Sequence, residues 1–475
     1  MPRTLAPPGN RDFSPRIGLA WSPSAQEGLL GDLLGGVGKT SIRAGFGTYY
    51  TAIEALSIGI LAGNPPFGIT YSSPAPPLFA TPFVTASSGQ FNGQPFPVNL
   101  ATRKASISNP NTSLDWSQFL PVSGVPGYAT NNRIPYAEEY TLSIERQFGS
   151  STVLDVGYIG TQAHRLLVLR EANPGDPALC LSLSQPSQVA PGSPTCGPFG
   201  ENNVYTSSAG QIVNGTRGPL GPNFGSVTYQ TTIGNSAYNA LQLSLRHKSK
   251  SLEIFGAYTY SKSLDNASNV GEEVNPINPS LSRALSAFDM THNFVVSYEY
   301  QLPLTRFLPT NRWTKGWSWS GITRFSSGFP VTLYSLGDNS LLGAEPNGIN
   351  NFGIDLPDYT LGPLNLNHDP RNNNQLYFNT ALFSLNALGT PGNASRRFFH
   401  GPGIDNYDMA LAKTLTLTES KALLFRIEAF NTFNHAQFYG PASVDGNISD
   451  LATTFGHVIS SAPGRVMQVS AKFSF

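Results

Sequence analysis

The sequence predicts an all-β chain: a transmembrane antiparallel β-barrel with long external loops. Three observations carry this. Segments of about ten residues with alternating polarity recur along the chain and end in turn residues. Long stretches rich in Gly, Pro, Asn and Ser separate them, at 65–132, 173–223 and 336–400. Structureless loops of that length are out of place in a compact soluble domain, whereas one rim of a membrane barrel tolerates them. Charged residues make up only 12% of the 475, against 47 Gly, 38 Pro and 11% aromatic residues, a mixture that suits strands and turns.

The strands follow in order. Segments 16–21 and 41–50 come first, then a hairpin of 140–148 and 152–161 joined by Gly149-Ser150-Ser151, with Leu142 and Ile144 facing away from Ser143 and Glu145. In 238–248, Leu241, Leu243 and Leu245 oppose Gln242, Ser244 and Arg246, and 252–261 follows after a short Lys/Ser turn. Segment 293–302 alternates most cleanly. Phe294, Val296, Tyr298, Tyr300 and Leu302 share one face, Asn293, Ser297, Glu299 and Gln301 the other, and only Val295 breaks the pattern. Trp317, Trp319, Gly321, Thr323 and Phe325 alternate with Ser318, Ser320 and Arg324 until Gly328-Phe329-Pro330 ends the strand. Segments 406–417, 422–433 and 465–475 bring the total to about a dozen strands of the length expected for a tilted span. With no shift in composition, 1–475 is taken as one architecture.

Aromatic residues gather near the expected strand ends, among them Tyr49, Tyr50, Tyr258, Tyr260, Tyr298, Tyr300, Trp317 and Trp319, where amphipathic rings meet lipid headgroups. The alternative is an aromatic-rich soluble β core. A mean hydropathy of -0.15 is no objection, because only alternate residues of such a wall touch lipid.

Other chemistries find little support. The most apolar run, 52–63, carries Glu54 and is too short for a membrane helix. Lys plus Arg and Asp plus Glu both number 29, which disfavours nucleic acid as a partner. "GGVGKT", 35–40, resembles a phosphate loop, but Leu33 stands where the motif needs Gly and a strand follows, so a tight turn is expected. His164, His247, His292, His368, His400, His435 and His457 form no zinc-type cluster. Glu138-Glu139 and Glu272-Glu273 are read as strand neighbours pointing to opposite faces, and no nucleophile elbow occurs. Asp265-Asn266, and Asp369 with Asn372 to Asn374, could bind calcium but lack EF-hand spacing and read as polar turns. Catalytic, cofactor and metal residues are accordingly expected to be none. Cys180 and Cys196, both in the Pro/Ser/Gly-rich stretch 173–200, would allow one loop disulfide in an oxidising compartment, with two unpaired thiols as the alternative.

The last residues place Met467, Val469, Ala471, Phe473 and Phe475 on one face and Gln468, Ser470, Lys472 and Ser474 on the other. A terminal aromatic residue on an alternating strand resembles the signal read by the outer-membrane insertion machinery. "SPRIGLAWSP", "KTSIRAGFGTYY", "PYAEEYTLSIERQFGSSTVLDVGYIGTQAHRL", "YNALQLSLRHK", "AYTYSKSLDNAS", "FDMTHNFVVSYEYQLP", "GWSWSGITRFSSGFPVT", "RIEAFNTFNHAQF" and "AKFSF" occur in that order. The series resembles the β-barrel region of the Oar-like TonB-dependent transporters.

That resemblance implies a bacterial outer-membrane barrel of about twenty-two strands, its lumen filled by an N-terminal plug. It implies import of a bulky ligand such as an iron chelate, glycan or peptide. The partners it implies are outer-membrane lipid, the insertion machinery, the unknown ligand and, where a plug is present, the inner-membrane energy-coupling protein. Met1-Pro2-Arg3 leads into Pro-rich sequence without a signal-type apolar segment. The expectation is therefore a truncated chain, with signal, plug and first strands lying upstream. A passive channel or surface-binding barrel, and a secreted soluble carbohydrate-binding β protein, are the other readings.

Overall fold

Two-residue alternation places successive side chains on opposite faces of an extended chain, so a series of such segments pairs with one face apolar throughout. The computed structural model of the protein shows that pairing. It describes residues 12–23, 28, 31, 34–51, 127–129, 131–269, 271–343, 355–367, 369–370, 375–440, 442–450 and 453–475. Eleven long strands run in chain order: β1 (Arg16–Trp21), β2 (Thr40–Tyr50), β3 (Tyr136–Phe148), β4 (Thr152–Glu171), β5 (Thr228–Lys248), β6 (Leu252–Asp265), β7 (His292–Gln301), β8 (Trp317–Ser326), β9 (Ile404–Thr416), β10 (Ala422–Phe430) and β11 (Val466–Ser474). Each pairs with the next, always antiparallel, in a single meander. Three two-residue strands, Gly127–Tyr128, Glu273–Val274 and Ala284–Leu285, pair against its flank.

The register sorts the side chains into rows. Ile42, Ile144, Val156, Leu243, Tyr258, Phe294 and Phe325 are successive cross-strand partners from β2 to β8. Beside them on the other face runs Arg43, Ser143, Gly157, Gln242, Thr259, Asn293 and Ser326. The apolar face continues through Trp319, Leu411, Ile427 and Val469. These residues are not buried against protein: Ile427 is 48% and Val469 74% exposed. A band of this extent is unsustainable in water and suited to hydrocarbon.

Connections alternate between two rims. The ends of the strands that flank residues 149–151, 249–251, 302–316 and 417–421, with the end of β1 and the start of β2, lie on one, and the opposite strand ends, from which the described parts of 172–227, 266–291, 327–403 and 431–465 extend, on the other. The turn before β2 is the tight one expected of "GGVGKT": Gly35, Gly36 and Gly38 have φ of 75°, 90° and 72°, which residues with a Cβ avoid. At 20 and 21 residues, β4 and β5 outgrow the nine to eleven or so that a tilted span needs, and they project beyond the long-loop rim. A bulge at Arg165 (φ 56°) marks where the pairing leaves regular register.

Several expectations change. β3 to β6 run further toward the long loops than their alternation indicates, because outside lipid the pairing no longer needs one apolar face. Leu302 lies past the end of β7. Tyr49 faces away from Tyr50 onto the polar side, where the Arg16 guanidinium sits 4.4 Å from its ring centroid, so only Tyr50 joins the aromatic edge. Glu138 and Glu139 do face opposite ways in β3. Among the described residues no helix is long and apolar enough to cross a membrane. The run 52–63 lies outside the described residues, as does most of 65–132. β1 and β11 each lack a second ladder partner among the described residues, and they run in the same direction.

A charge at Leu243, central in the apolar row, should cost about 2 to 4 kcal/mol as Leu243→Arg, whereas Ser244→Arg on the other face should be mild. Equilibrium urea unfolding from phospholipid vesicles measures both, and equal losses would contradict this assignment of faces.

Candidate functional site

The wall has no interior of its own, and the described long connections supply one. Leu333, Tyr377, Phe378 and Phe399 of 327–403 pack on Ile448 and Phe455 of 431–465. Phe378 and Phe455 meet edge to face at 5.4 Å and 89°. Each such fully buried side chain contributes about 1.5 to 3 kcal/mol. The chains cross closely at Gly446, where a Cβ would stand 1.9 Å from the Thr332 carbonyl oxygen, so no larger residue fits. The expectation of structureless loops is thus corrected: on this rim they form a folded cap, because their aromatic residues find one another across sequence.

A second cluster centres on the cysteines. Asp176 caps the short helix Pro177–Leu181, its carboxylate accepting from the Ala178 and Leu179 amides at 2.9 and 3.1 Å. That helix presents Cys180, which is bonded to Cys196 with the Cα atoms 5.3 Å apart. Leu183, Val189 and Tyr205 pack round the disulfide, and Leu341 inserts from 327–403. At its base, Glu171 accepts from Ser226 Oγ and the Val227 amide at 2.6 and 2.9 Å.

Charge ties the cap to the wall. Arg396, 2% exposed, pairs with Asp265 at the end of β6 and with Glu272, while Arg397 pairs with Glu272 and donates to Thr332 Oγ1 at 2.7 Å. Arg396 Nε also donates to the Ser282 carbonyl at 3.0 Å. His400 Nε2 lies 2.7 Å from Asp289 Oδ2. Burial by itself would raise the Glu272 carboxyl, but hydrogen bonding to Arg397 and the charges of both arginines outweigh it and hold the group below its ordinary 4.5.

None of these partners was visible as a pair in the sequence, since they lie far apart along it. The one available signal was Arg396-Arg397, a dibasic step in a charge-poor chain. Asp265 is an ion-pair partner, not a turn residue; Glu272 pairs with arginines, and Glu273 instead accepts from Thr228 Oγ1 at 3.0 Å. Asn372 to Asn374 and His368 lie outside the described residues. Among the described residues no three His, Cys, Asp or Glu side chains are grouped to hold a metal.

The polar face of the wall carries a cleft of about 460 Å³ between β6 and β10, lined in part by Glu253, Glu299, Asp408, Arg426 and Glu428. Glu253 and Glu299 are direct cross-strand partners, and Lys248 and Arg246 reach Glu253 at 3.1 and 3.6 Å. In β11, Met467, Val469, Ala471 and Phe473 pair with Ala429, Ile427, Phe425 and Leu423 on the apolar face. Phe475 lies beyond the strand, 92% exposed, its ring stacked at 5.9 Å from Phe473.

The family model for the outer membrane beta barrel domain matches residues 1–468. A search of curated proteins finds no match. Among solved structures, the outer membrane transporter YddB from Escherichia coli is similar at 11% identity and a TM-score of 0.43, with 97% of this chain aligned to 40% of that one. The siderophore receptor PirA from Acinetobacter baumannii is similar at 10% identity and a TM-score of 0.39, over 97% and 41%. The ferripyoverdine receptor of the outer membrane of Pseudomonas aeruginosa is similar at 8% identity and a TM-score of 0.38, over 97% and 33%. The chain thus spans well under half the length of these solved chains.

Arg396→Met should strand Asp265 as a buried carboxylate without its cation and leave Glu272 to Arg397 alone, at a cost of about 3 to 5 kcal/mol, seen as faster protease cleavage of the cap with the wall intact. Because the folded Glu272 pKa is lowered, its stabilisation is complete above 4.5 and fades as acid takes the pH down through the folded value. Cap proteolysis in wild type should therefore rise on acidification. Replacing both cysteines by Ser should cost the 172–227 loop about 2 to 4 kcal/mol, read as new cleavage within it. Unchanged digestion patterns would contradict these assignments.

Proposed function

The chain belongs to the outer membrane beta barrel domain family, and from that premise we propose that it is barrel wall and loop cap of a TonB-dependent transporter of the Oar-like type, importing a bulky ligand. It is an all-β protein of the bacterial outer membrane. The observation that carries the proposal is the cap. The described loops of the long rim are cross-bonded by a disulfide, an aromatic core and buried ion pairs into one shaped surface above a polar concave face. A passive channel gains nothing from a structured surface over its mouth, whereas selective capture needs one. The ordered sequence blocks that resemble the Oar-like barrels support the same reading.

In this reading the wall does no covalent chemistry and needs no cofactor. The cap binds an iron chelate, a glycan or a peptide, and the polar face guides it inward once a plug is remodelled by the inner-membrane energy-coupling protein. Cys180 and Cys196 close their loop in the oxidising space through which the chain passes during export. The strand that carries Met467, Val469, Ala471 and Phe473, with Phe475 just past its end, addresses the chain to the insertion machinery and then faces lipid.

Uptake by bacteria expressing the complete gene should depend on the energy-coupling protein, and planar bilayers holding the purified product should stay closed. Steady conductance, with uptake indifferent to energy coupling, would favour the passive channel instead. Deleting Phe475 should lower the amount recovered in outer membranes, and full recovery would remove its proposed role as a signal.

A further inference from the structure

Glu201, in the disulfide loop, and Asp338, in 327–403, are buried at 2% and 0% exposure where the two segments meet: the Phe199 amide, two residues before Glu201, donates to Asp338 Oδ2 at 3.1 Å, which sets the two carboxyl groups side by side. Among the described residues no cation is bonded to either. Arg217 is near, but its guanidinium is committed elsewhere: Nε donates to Asn202 Oδ1 at 2.7 Å, Nη1 to the Asn173 carbonyl at 2.8 Å and Nη2 to the Gly343 carbonyl at 2.9 Å. Asp338 is the fixed partner, its two oxygens accepting from the Phe199 and Gly343 amides at 3.1 and 3.0 Å. Glu201 Oε1 has no hydrogen-bond partner among the described residues. The other titratable groups packed nearby do not relieve the pair. Asp355, held by Ser340 and Asn386 and pushed up by burial to about 6, adds negative charge near Asp338 once it ionises, and the Tyr205 hydroxyl donates to the Gly200 carbonyl.

Two buried carboxylates in contact cannot both be ionised without a large desolvation and repulsion cost, so the arrangement requires one proton between them. We propose that Glu201 and Asp338 form a proton-operated latch that fastens the disulfide loop to the segment around Ser340: one shared proton closes it, and its loss weakens the contact. Such a latch works the same way whatever is imported. Burial, hydrogen bonding to Asp338 and the charge of Asp338, opposed in part by Arg217, push the Glu201 carboxyl from 4.5 up to about 8. The sign follows from linkage. A raised acid stabilises the closed form fully below 4.5, progressively less between 4.5 and 8, and no longer above.

The test uses outer membranes carrying the full chain, digested with proteinase K between pH 5 and 9, each rate normalised to an unfolded substrate at the same pH. Cleavage within 172–227 should rise with pH, steepening toward tenfold per pH unit where opening releases one proton, and level off above about 8. Glu201→Gln, which keeps the hydrogen bond without the titration, should abolish the rise while leaving the loop closed. Asp338→Asn, which removes the opposing charge, should flatten it as well and serves if the Gln variant fails to fold. A wild-type profile flat across the range, or a rise that survives both substitutions, would overturn the latch.

Discussion

Hydrocarbon offers no hydrogen bonds, so every backbone N–H and C=O that crosses a membrane must find its partner within the protein. The meander from β1 to β11 answers this with ladder bonds to both neighbours for every strand but the outermost two. The alternation of side chains follows from the same constraint. Once strands lie edge to edge, one set of side chains must face lipid and the other water, and register cannot slip by a residue without inverting both faces. The unbroken rows from Ile42 to Phe325 and from Arg43 to Ser326 record that restriction.

Beyond the rim, water returns and the rules change. There the chain builds an ordinary interior, with aromatic rings at its centre and buried carboxyl groups held by arginines, by neutral hydrogen bonds or by each other. Arg396 and Arg397 meet Asp265 and Glu272 as ion pairs, while Glu201 against Asp338 is an acid pair with no bonded cation among the described residues. The two arrangements respond to acid with opposite signs, so the cap holds best at intermediate pH and loosens from different joints on either side.

This division explains what could be read from the sequence. Inside the membrane the environment is uniform, so a local pattern such as Leu241, Leu243 and Leu245 against Gln242, Ser244 and Arg246 identifies both strand and face. Even there, Tyr49 beside Tyr50 could not belong to the same face. Above the membrane, pairing ceased to leave a periodic trace, and the upper halves of β4 and β5 went unrecognised. The cap was hidden for a further reason: its contacts join residues such as Asp265 and Arg396 that no spacing rule connects. Composition recorded those segments as Gly- and Pro-rich, which describes their turns and says nothing of their shared core.

Eleven, the number of wall strands among the described residues, is odd. Each step of the meander reverses direction, so β1 and β11 descend together. Laying one against the other, or against its counterpart in a second copy of the same orientation, would create a parallel seam. Bacterial single-chain barrels keep an even strand count and avoid one. A wall that stays antiparallel all the way round therefore accepts only an odd complement of further strands, whatever supplies them, and any attempt to reconstitute it from separate halves has to respect that parity.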